Sequence, residues 1–102
     1  MKYRILRTAT ADEQLTDIIN YIAEDTGVNA ALNYLDKIEA AIRTLEDFPD
    51  AGTLPRYAAL RRRGYRVLIV ERHLVFYKFD PAAAIVMIYA IVDGRRRYRG
   101  LV

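Results

Sequence analysis

Cysteine and tryptophan are absent from the 102-residue chain, and histidine occurs once, at position 73. Without cysteine the chain has no disulfide, no thiolate metal site and no cysteine nucleophile, a composition that fits a reducing cytoplasm. The first residues alternate charged with apolar side chains instead of forming the apolar stretch of a signal peptide. The longest apolar run, residues 82–92, has eleven residues, too few to cross a bilayer as a helix. We therefore expect a cytoplasmic protein without a membrane segment.

Common catalytic signatures are also missing. The sequence has no glycine-rich phosphate loop before a helix, no histidine and carboxylate cluster with metal spacing, and no nucleophile elbow. We therefore expect no metal and no other cofactor. His73 stands at the start of a predicted strand, where a lone histidine is more typical of a structural residue than of an acid or base.

Charge is distributed very unevenly along the chain. Residues 1–55 contain five basic and ten acidic side chains, whereas residues 56–102 contain eleven basic and three acidic ones. Most of these bases are arginines clustered around a tyrosine, and arginine can both fork onto phosphate and stack on bases. The clusters predict a nucleic-acid-binding surface, with an acidic protein partner or a solvated basic face as alternatives. Its members are Arg61, Arg62, Arg63, Arg66, Arg95, Arg96 and Arg97.

Hydrophobic periodicity predicts one strand, two helices and three further strands. The first helix covers residues 11–24, with Thr10 and Glu13 as a capping box, and Asn29 caps a second helix that ends at Phe48-Pro49. Residues 3–7, 65–70, 73–79 and 85–92 read as strands, with a hairpin turn at Glu71-Arg72 between the second and third. The last strand is apolar throughout, as expected of a central strand buried on both faces.

The order β-α-α-β-β-β predicts a single α+β domain over residues 1–102, in which an acidic helical hairpin covers an antiparallel sheet. We expect one core, to which the apolar stripes of both helices and the strands contribute. Its predicted members are Leu15, Ile18, Ile22, Leu35, Ile38, Ile42, Val67, Ile69, Val75, Tyr77, Ile85, Met87 and Ile88.

Metal-independent RNA cleavage would need a base for the 2′-hydroxyl, cations for the phosphorane and an acid for the leaving oxygen. The arginines of the two clusters can supply the cations. Glu71 and His73 lie at a predicted turn, whereas Asp93 and Tyr98 follow the last strand. The sequence therefore shows no evident acid–base pair.

Four segments occur in a characteristic order and spacing: LEDFPDAG at 45–52, GYRVLIV at 64–70, LVFYKFD at 74–80 and GRRRY at 94–98. Together with the two helices, they resemble the RelE/ParE toxins of bacterial type II toxin–antitoxin modules along essentially the whole chain. The resemblance implies a small toxin encoded beside an antitoxin that wraps around it. Free toxins of this family either cut messenger RNA in the ribosomal decoding site or, in ParE-like members, inhibit DNA gyrase.

The resemblance also implies roles for single residues. In RNA-cleaving members a basic residue on the first of the three C-terminal strands faces the substrate, and Arg66 matches it. A later arginine followed by a tyrosine is matched by Arg95 and Tyr98, so these three are the implied catalytic residues. Leu74 stands where an arginine is usual, and Asp93 stands where some members have a histidine as general acid.

Three functions are compatible with the sequence. The first, slightly favoured, is ribosome-dependent cleavage of messenger RNA, in which the arginines bind phosphates and Tyr98 stacks on a base or assists proton transfer. The second is inhibition of gyrase, favoured by the helical hairpin and by Leu74 and Asp93. The third is a degenerate toxin that only binds its antitoxin and regulates the operon.

Overall fold

The computed structural model describes residues 2–95, and its elements follow the predicted order. The strands are β1 Arg4–Arg7, β2 Arg66–Val70, β3 His73–Asp80 and β4 Ile85–Asp93, and the helices are α1 Ala9–Asp25, α2 Val28–Arg43 and α3 Ala58–Arg62. A 3₁₀ turn, Thr44–Glu46, extends α2. Within residues 2–95, no helix has the length and apolar character needed to span a membrane.

Both long helices begin earlier than predicted, so both predicted N-caps are wrong. The side chain of Thr8, rather than Thr10, accepts the amide hydrogen of Ala11 and caps α1. The second helix follows Gly27, whose φ of 123° lies in the left-handed region, and not Asn29. In each case a residue that precedes the apolar stripe, Thr8 or Gly27, sets the start of the helix. The periodicity of the stripe does not predict the position of that residue.

The strands form one mixed sheet in the order β1-β4-β3-β2. The β1–β4 pair is parallel, whereas β3 pairs antiparallel with both β4 and β2. The predicted central position of the last strand is confirmed. The register of β3 against β4 shifts after the Phe76–Ala90 pair because Tyr77 pairs with Ile88, which leaves Tyr89 as an extra residue on β4. The hairpin turn is Glu71-Arg72, as predicted, and Glu71 has a positive φ of 53°.

The apolar residues form two cores, one on each face of the sheet, instead of the single core predicted. The hairpin-side core lies between the sheet and α1–α2, and the outer core lies between the opposite face and α3. Buried members of the hairpin-side core are Ala11, Leu15, Ile38, Ile42, Leu45, Val70, Val75, Tyr77, Val86, Ile88 and Ile91. Those of the outer core are Leu60, Tyr65, Val67, Phe76, Ala90 and Val92.

Four predicted core residues lie in neither core. Ile22, Ile85 and Met87 are only partly buried, and Ile69 is wrong outright because its side chain is 58% exposed. Ile69 lies on the edge strand β2 and points to the same face as Val67, which is buried against the short helix α3. The sequence prediction did not include α3, whose Leu60 fills the outer core. The predicted fold class, α+β with a helical hairpin on one face of the sheet, is confirmed.

Candidate functional site

A pocket of about 480 Å³ opens where α1 crosses the end of β4. We call it the end pocket. Helix α1, the turn between β2 and β3, the start of β3 and the end of β4 all contribute to its wall. The lining residues are Gln14, Asp17, Ile18, Tyr21, Ile22, Arg72, His73, Ile91, Val92, Asp93 and Arg95.

Side chains of α1 hold this wall together because β1 ends before β4 does. Beyond Arg7, the last residue of β1, the hydroxyl of Thr8 donates to the carbonyl oxygen of Tyr89 at 3.1 Å. Six residues further along the chain, the Gln14 side-chain oxygen accepts the amide hydrogen of Ile91 at 2.8 Å. These contacts satisfy backbone groups of β4 that a longer β1 would have paired, and they place α1 against the end of the sheet.

Asp93 and Arg95 form a two-point ion pair at the mouth of the pocket. Both Nε and Nη2 of Arg95 donate to the carboxylate, at 3.2 and 2.9 Å, and the Arg95 amide donates to the same group at 2.9 Å. These hydrogen bonds hold the pKa of Asp93 well below its usual range and raise the pKa of Arg95. Asp93 is therefore a fixed anion and not an acid available at neutral pH.

His73 is buried and is fixed by Tyr34 of α2. The Tyr34 hydroxyl lies 2.6 Å from His73 Nδ1 and 3.1 Å from the carbonyl oxygen of Val70. Burial lowers the pKa of His73 and raises the pKa of Tyr34 to about 12, so both groups are neutral at pH 7.

The tautomer of His73 follows from this hydrogen-bond network. Tyr34 has one hydroxyl hydrogen, and the carbonyl of Val70 can only accept it. The hydroxyl oxygen then accepts the hydrogen of Nδ1, which leaves Nε2 with a free lone pair. Every buried side-chain nitrogen or oxygen within residues 2–95 has a hydrogen-bond partner. Nε2, by contrast, makes no hydrogen bond to these residues. Nε2 is therefore not fully buried, and His73 is one of the residues that line the end pocket.

Arg72 adds a cation beside this imidazole. It is exposed and lines the pocket, and among the described residues its guanidinium makes no hydrogen bond or ion pair. Its charge lowers the pKa of His73, which places the two groups in mutual electrostatic range. The end pocket thus combines a neutral acceptor, an available guanidinium and an ion pair.

Arg66, the first of the predicted catalytic residues, lies at the end of β2 that is away from the end pocket. Arg66 pairs with Tyr77 on β3, and Asp93 pairs with His73 on the same strand. Tyr77 and His73 are four residues apart, which corresponds to about 13 Å along β3. The Nη1 of Arg66 donates to the carbonyl oxygen of Gly52 at 3.0 Å and lies 3.4 Å from that of Asp50. Arg66 and Arg95 are therefore not brought together, and Arg66 binds its own loop.

The other predicted nucleic-acid-binding residues are divided between two places. Arg61 on α3 donates to the carbonyl oxygens of Pro55 and Arg56, both at 2.8 Å, and so contributes to folding the preceding loop. Arg62 and Arg63, at the end of the same helix, are exposed. Arg96, Arg97 and Tyr98 lie outside the described residues, so their roles stay predictions.

The structure also reveals site residues that sequence reasoning missed. Tyr34 and Arg72 received no functional role, and His73 was interpreted as structural, because nothing in their spacing shows that they meet Asp93. The one available signal was the Glu71-Arg72 turn, which places His73 at the end of the hairpin beside the last strand. Among residues 2–95 no group of three or more histidines and carboxylates could hold a metal ion.

Comparison with known proteins gives a consistent assignment. The chain is 31% identical to toxin ParE1 of Caulobacter vibrioides over 86 residues, which covers 84% of each chain. It is 28% identical to toxin ParE3 of the same organism over 92 residues, covering 90% of this chain and 87% of the relative.

Two solved structures share the fold at lower identity. One is the chromosomal ParDE toxin–antitoxin system of P. aeruginosa, with a TM-score of 0.74, 17% identity and coverage of 90% of this chain and 96% of that chain. The other is the toxin–antitoxin complex RelBE2 of Mycobacterium tuberculosis, with a TM-score of 0.60, 18% identity and coverage of 91% and 99%. Because residues 5–98 match the family described as the ParE toxin of the type II toxin–antitoxin system parDE, the chain belongs to that family of toxins.

Proposed function

We propose that this toxin arrests growth by inhibiting DNA gyrase and that a cognate antitoxin, encoded by a neighbouring gene, blocks this action. The observation that carries the choice of target is the position of Arg66. RNA cleavage by the implied residues needs Arg66 and Arg95 around one phosphate, because cations stabilise the developing charge only where they converge. Arg66 begins β2, whereas Arg95 follows the end of β4 that lies beside the other end of β2, and Arg66 is already bound to the carbonyl oxygen of Gly52.

The comparisons support the same target. The family and both curated relatives carry the name ParE, and ParE-like members are the branch that the family resemblance associates with gyrase. Leu74 and Asp93 replace polar groups found in RNA-cleaving members. The side chain of Leu74 packs against the outer core, so it contributes apolar contact where those members place a charge.

The test uses purified toxin, gyrase and relaxed plasmid. We expect the toxin to block ATP-dependent supercoiling and to leave cleaved DNA, and we expect stoichiometric antitoxin to restore supercoiling. In cells, induction should reduce DNA synthesis before translation while cellular RNA stays intact. Undiminished supercoiling at a large excess of active toxin would exclude gyrase as the target.

Ribosome-dependent cleavage of messenger RNA is a second candidate, favoured by the end pocket. That pocket has a neutral imidazole with a free Nε2 lone pair and a guanidinium beside it, which are two of the three groups that metal-independent cleavage needs. This candidate requires messenger RNA to be cut on ribosomes after induction, with supercoiling unaffected. A toxin that causes no growth arrest at all would instead be the degenerate form that only regulates its operon.

The antitoxin should bring acidic residues to the arginine-rich surface. The second half of the chain carries eleven basic and three acidic side chains, so the approach of an acidic segment is favoured over long distances. We expect the association rate of toxin and antitoxin to fall as salt is raised from 50 to 500 mM. An association rate independent of salt would argue against an electrostatic role for the arginines.

A further inference from the structure

We propose that the Asp93–Gly94 bond is a site of spontaneous backbone isomerisation to isoaspartate, and that Arg95 slows this reaction by binding the Asp93 carboxylate. This modification site goes beyond the proposed action on gyrase and does not depend on it. It gives Arg95 a protective role that is separate from binding a phosphate.

The reactive dipeptide occurs once in the sequence. Of the eight aspartates only Asp93 is followed by glycine, and none of the three asparagines is. Glycine has no side chain to shield its amide nitrogen, so aspartate cyclises onto it more readily than onto a residue that carries a Cβ atom. Asp93 ends β4, and Gly94 lies in the turn that follows.

The reaction joins two groups of this dipeptide. The nitrogen of Gly94 attacks Cγ of the protonated Asp93 carboxyl and loses its hydrogen, and the carboxyl hydroxyl group leaves with that hydrogen as water. Water then adds to one of the two carbonyl carbons of the resulting succinimide and breaks its bond to nitrogen. Addition at the main-chain carbonyl carbon of Asp93 leaves Gly94 attached through Cγ. The product has the original mass and one more carbon atom in the main chain.

The first constraint on this reaction acts on the carboxylate. Arg95 donates to it from Nε and Nη2, at 3.2 and 2.9 Å, and from its amide at 2.9 Å. These hydrogen bonds favour the ionised form and hold the pKa of Asp93 well below its usual range. An ionised carboxylate has a less electrophilic carbon and no hydroxyl group to lose. Arg95 therefore lowers the fraction of Asp93 that can react.

The second constraint acts on the nitrogen. The Gly94 amide donates to the carbonyl oxygen of Arg72 at 2.7 Å, and an attack on Asp93 requires this hydrogen bond to break. A Cβ atom on residue 94 would lie 3.0 Å from the same oxygen and 3.3 Å from Cγ of Leu74, both closer than ordinary van der Waals contact. The packing of the chain end against the β2–β3 turn therefore favours glycine, and the reactive dipeptide is a consequence of that packing.

Isomerisation would change both the end pocket and the chain that leaves it. The additional carbon atom moves the Gly94 amide out of register with the carbonyl of Arg72. It also moves the carboxylate from Cβ to the α-carbon of residue 93, away from its present contacts with Arg95. The chain would then leave β4 in a different direction, toward the predicted functional residues Arg96, Arg97 and Tyr98.

The test incubates the purified full chain at 37 °C and follows isoaspartate at residue 93. Liquid chromatography separates the isoaspartyl peptide from the aspartyl peptide of equal mass, and protein isoaspartyl methyltransferase labels it. Arg95→Ala should form the product about two- to fivefold faster than the wild type, the range expected for an exposed ion pair. Arg43→Ala removes an exposed arginine at the far end of α2 and should behave like the wild type.

Three further measurements isolate the role of the ion pair. In concentrated urea the pair is absent, so the wild type and Arg95→Ala should isomerise at one common and higher rate. Hydrogen exchange of the Gly94 amide should be equally slow in both folded proteins, because Arg95 acts on the carboxylate. Asp93→Glu should give no product at this position, because its longer side chain cannot close a five-membered ring.

Several results would overturn the proposal. Equal rates in folded wild type and Arg95→Ala would do so, and so would a wild-type rate that urea does not raise. A rate ratio that persists in urea would assign the effect to the local sequence, and faster exchange of the Gly94 amide in Arg95→Ala would assign it to an opened turn. None of these measurements contains gyrase, so the modification site and the proposed target can fail independently.

Discussion

The hydroxyl of Tyr77, at the centre of the hairpin-side core, accepts the amide hydrogen of Gly52 at 2.9 Å. This contact fixes the loop after α2 on the edge of the sheet, where Thr53 and Val67 also exchange two backbone hydrogen bonds of 2.8 Å. A Cβ atom on residue 52 would lie 2.7 Å from the Tyr77 hydroxyl oxygen and 2.8 Å from the carbonyl oxygen of Val67. The glycine of the LEDFPDAG segment is therefore required by this close approach.

We predict that Gly52→Ala destabilises the fold by about 1–3 kcal/mol, the usual cost of forcing an extra methyl group into a packed site. The Cβ meets backbone as well as the tyrosine, so the loop has to move away from β2. Urea denaturation gives the free energy of unfolding. An alanine variant as stable as the wild type would show that the loop is not held where the structure places it.

Tyr77→Phe provides the matched control for that variant. Removing the hydroxyl leaves the buried amide of Gly52 without its partner and should cost about 1–3 kcal/mol by itself. In the double variant the Cβ no longer meets the hydroxyl oxygen. The double variant should therefore lose less unfolding free energy than the two single variants lose together. Strict additivity would mean that residues 52 and 77 do not contact each other in solution.

Ile38→Ala should destabilise the protein by roughly 2–5 kcal/mol, because Ile38 is fully buried beneath α2 and its loss leaves a cavity. Leu32→Ala on the same helix is the control, since that side chain is 51% exposed and should cost little. Both values come from urea denaturation monitored by circular dichroism. Similar losses in the two variants would mean that the helix face is assigned wrongly.

His73 makes stability depend on pH above the range in which carboxylates titrate. Burial lowers the pKa of His73 in the folded protein below its ordinary value of 6.5; the charges of Arg72 and Arg95 act in the same direction, and those of Asp93 and Glu71 oppose it. The unfolded chain therefore binds the proton first, and stability falls as pH decreases through 6.5. We expect the free energy of unfolding to drop from pH 7.5 to pH 5 in the wild type. His73→Gln should flatten this slope, and an equal slope in both proteins would contradict the prediction.

The elements that the sequence predicted correctly are those with an uninterrupted periodicity. The stripes of α1 and α2 and the turn at Glu71-Arg72 were found because burial of one face imposes its period on the residues. The helix caps were missed because Thr8 and Gly27 lie outside those stripes. Ile69 was misassigned because alternation cannot show how far the five-residue helix α3 extends over the outer face.

The candidate site was harder to predict for a different reason. Its polar groups come from distant parts of the chain: Tyr34 from α2, His73 from the start of β3, and Asp93 from the end of β4. Their meeting depends on the strand register, which a one-residue slip would change, and the Tyr89 bulge shifts that register. Composition identified the arginines but could not show that Arg61 and Arg66 would bind backbone carbonyls.

The predicted roles of Arg66, Arg95 and Tyr98 can be tested by growth arrest after induction, with Arg43→Ala as an exposed control. If the toxin cuts RNA through these residues, Arg66→Ala and Arg95→Ala should each relieve the arrest while the folded fraction, measured by circular dichroism, stays unchanged. Tyr98→Phe then separates two roles of the ring: lost toxicity assigns proton transfer or hydrogen bonding to the hydroxyl, and toxicity lost only in Tyr98→Ala assigns stacking.

For a gyrase inhibitor the expected pattern is different. Arg66 stabilises the loop through the carbonyl oxygen of Gly52, so Arg66→Ala should lower the free energy of unfolding by about 0.5–1.5 kcal/mol and leave the arrest in place. Arg66→Lys, which keeps the charge but loses the planar fork, should show a similar loss of stability. If Arg66→Ala, Arg95→Ala and Tyr98→Ala all remain toxic while cellular RNA stays intact, RNA cleavage by these residues is excluded. If Arg66→Ala instead relieves the arrest and the variant is as stable as the wild type, Arg66 contacts the target. That result would contradict a purely structural role for Arg66.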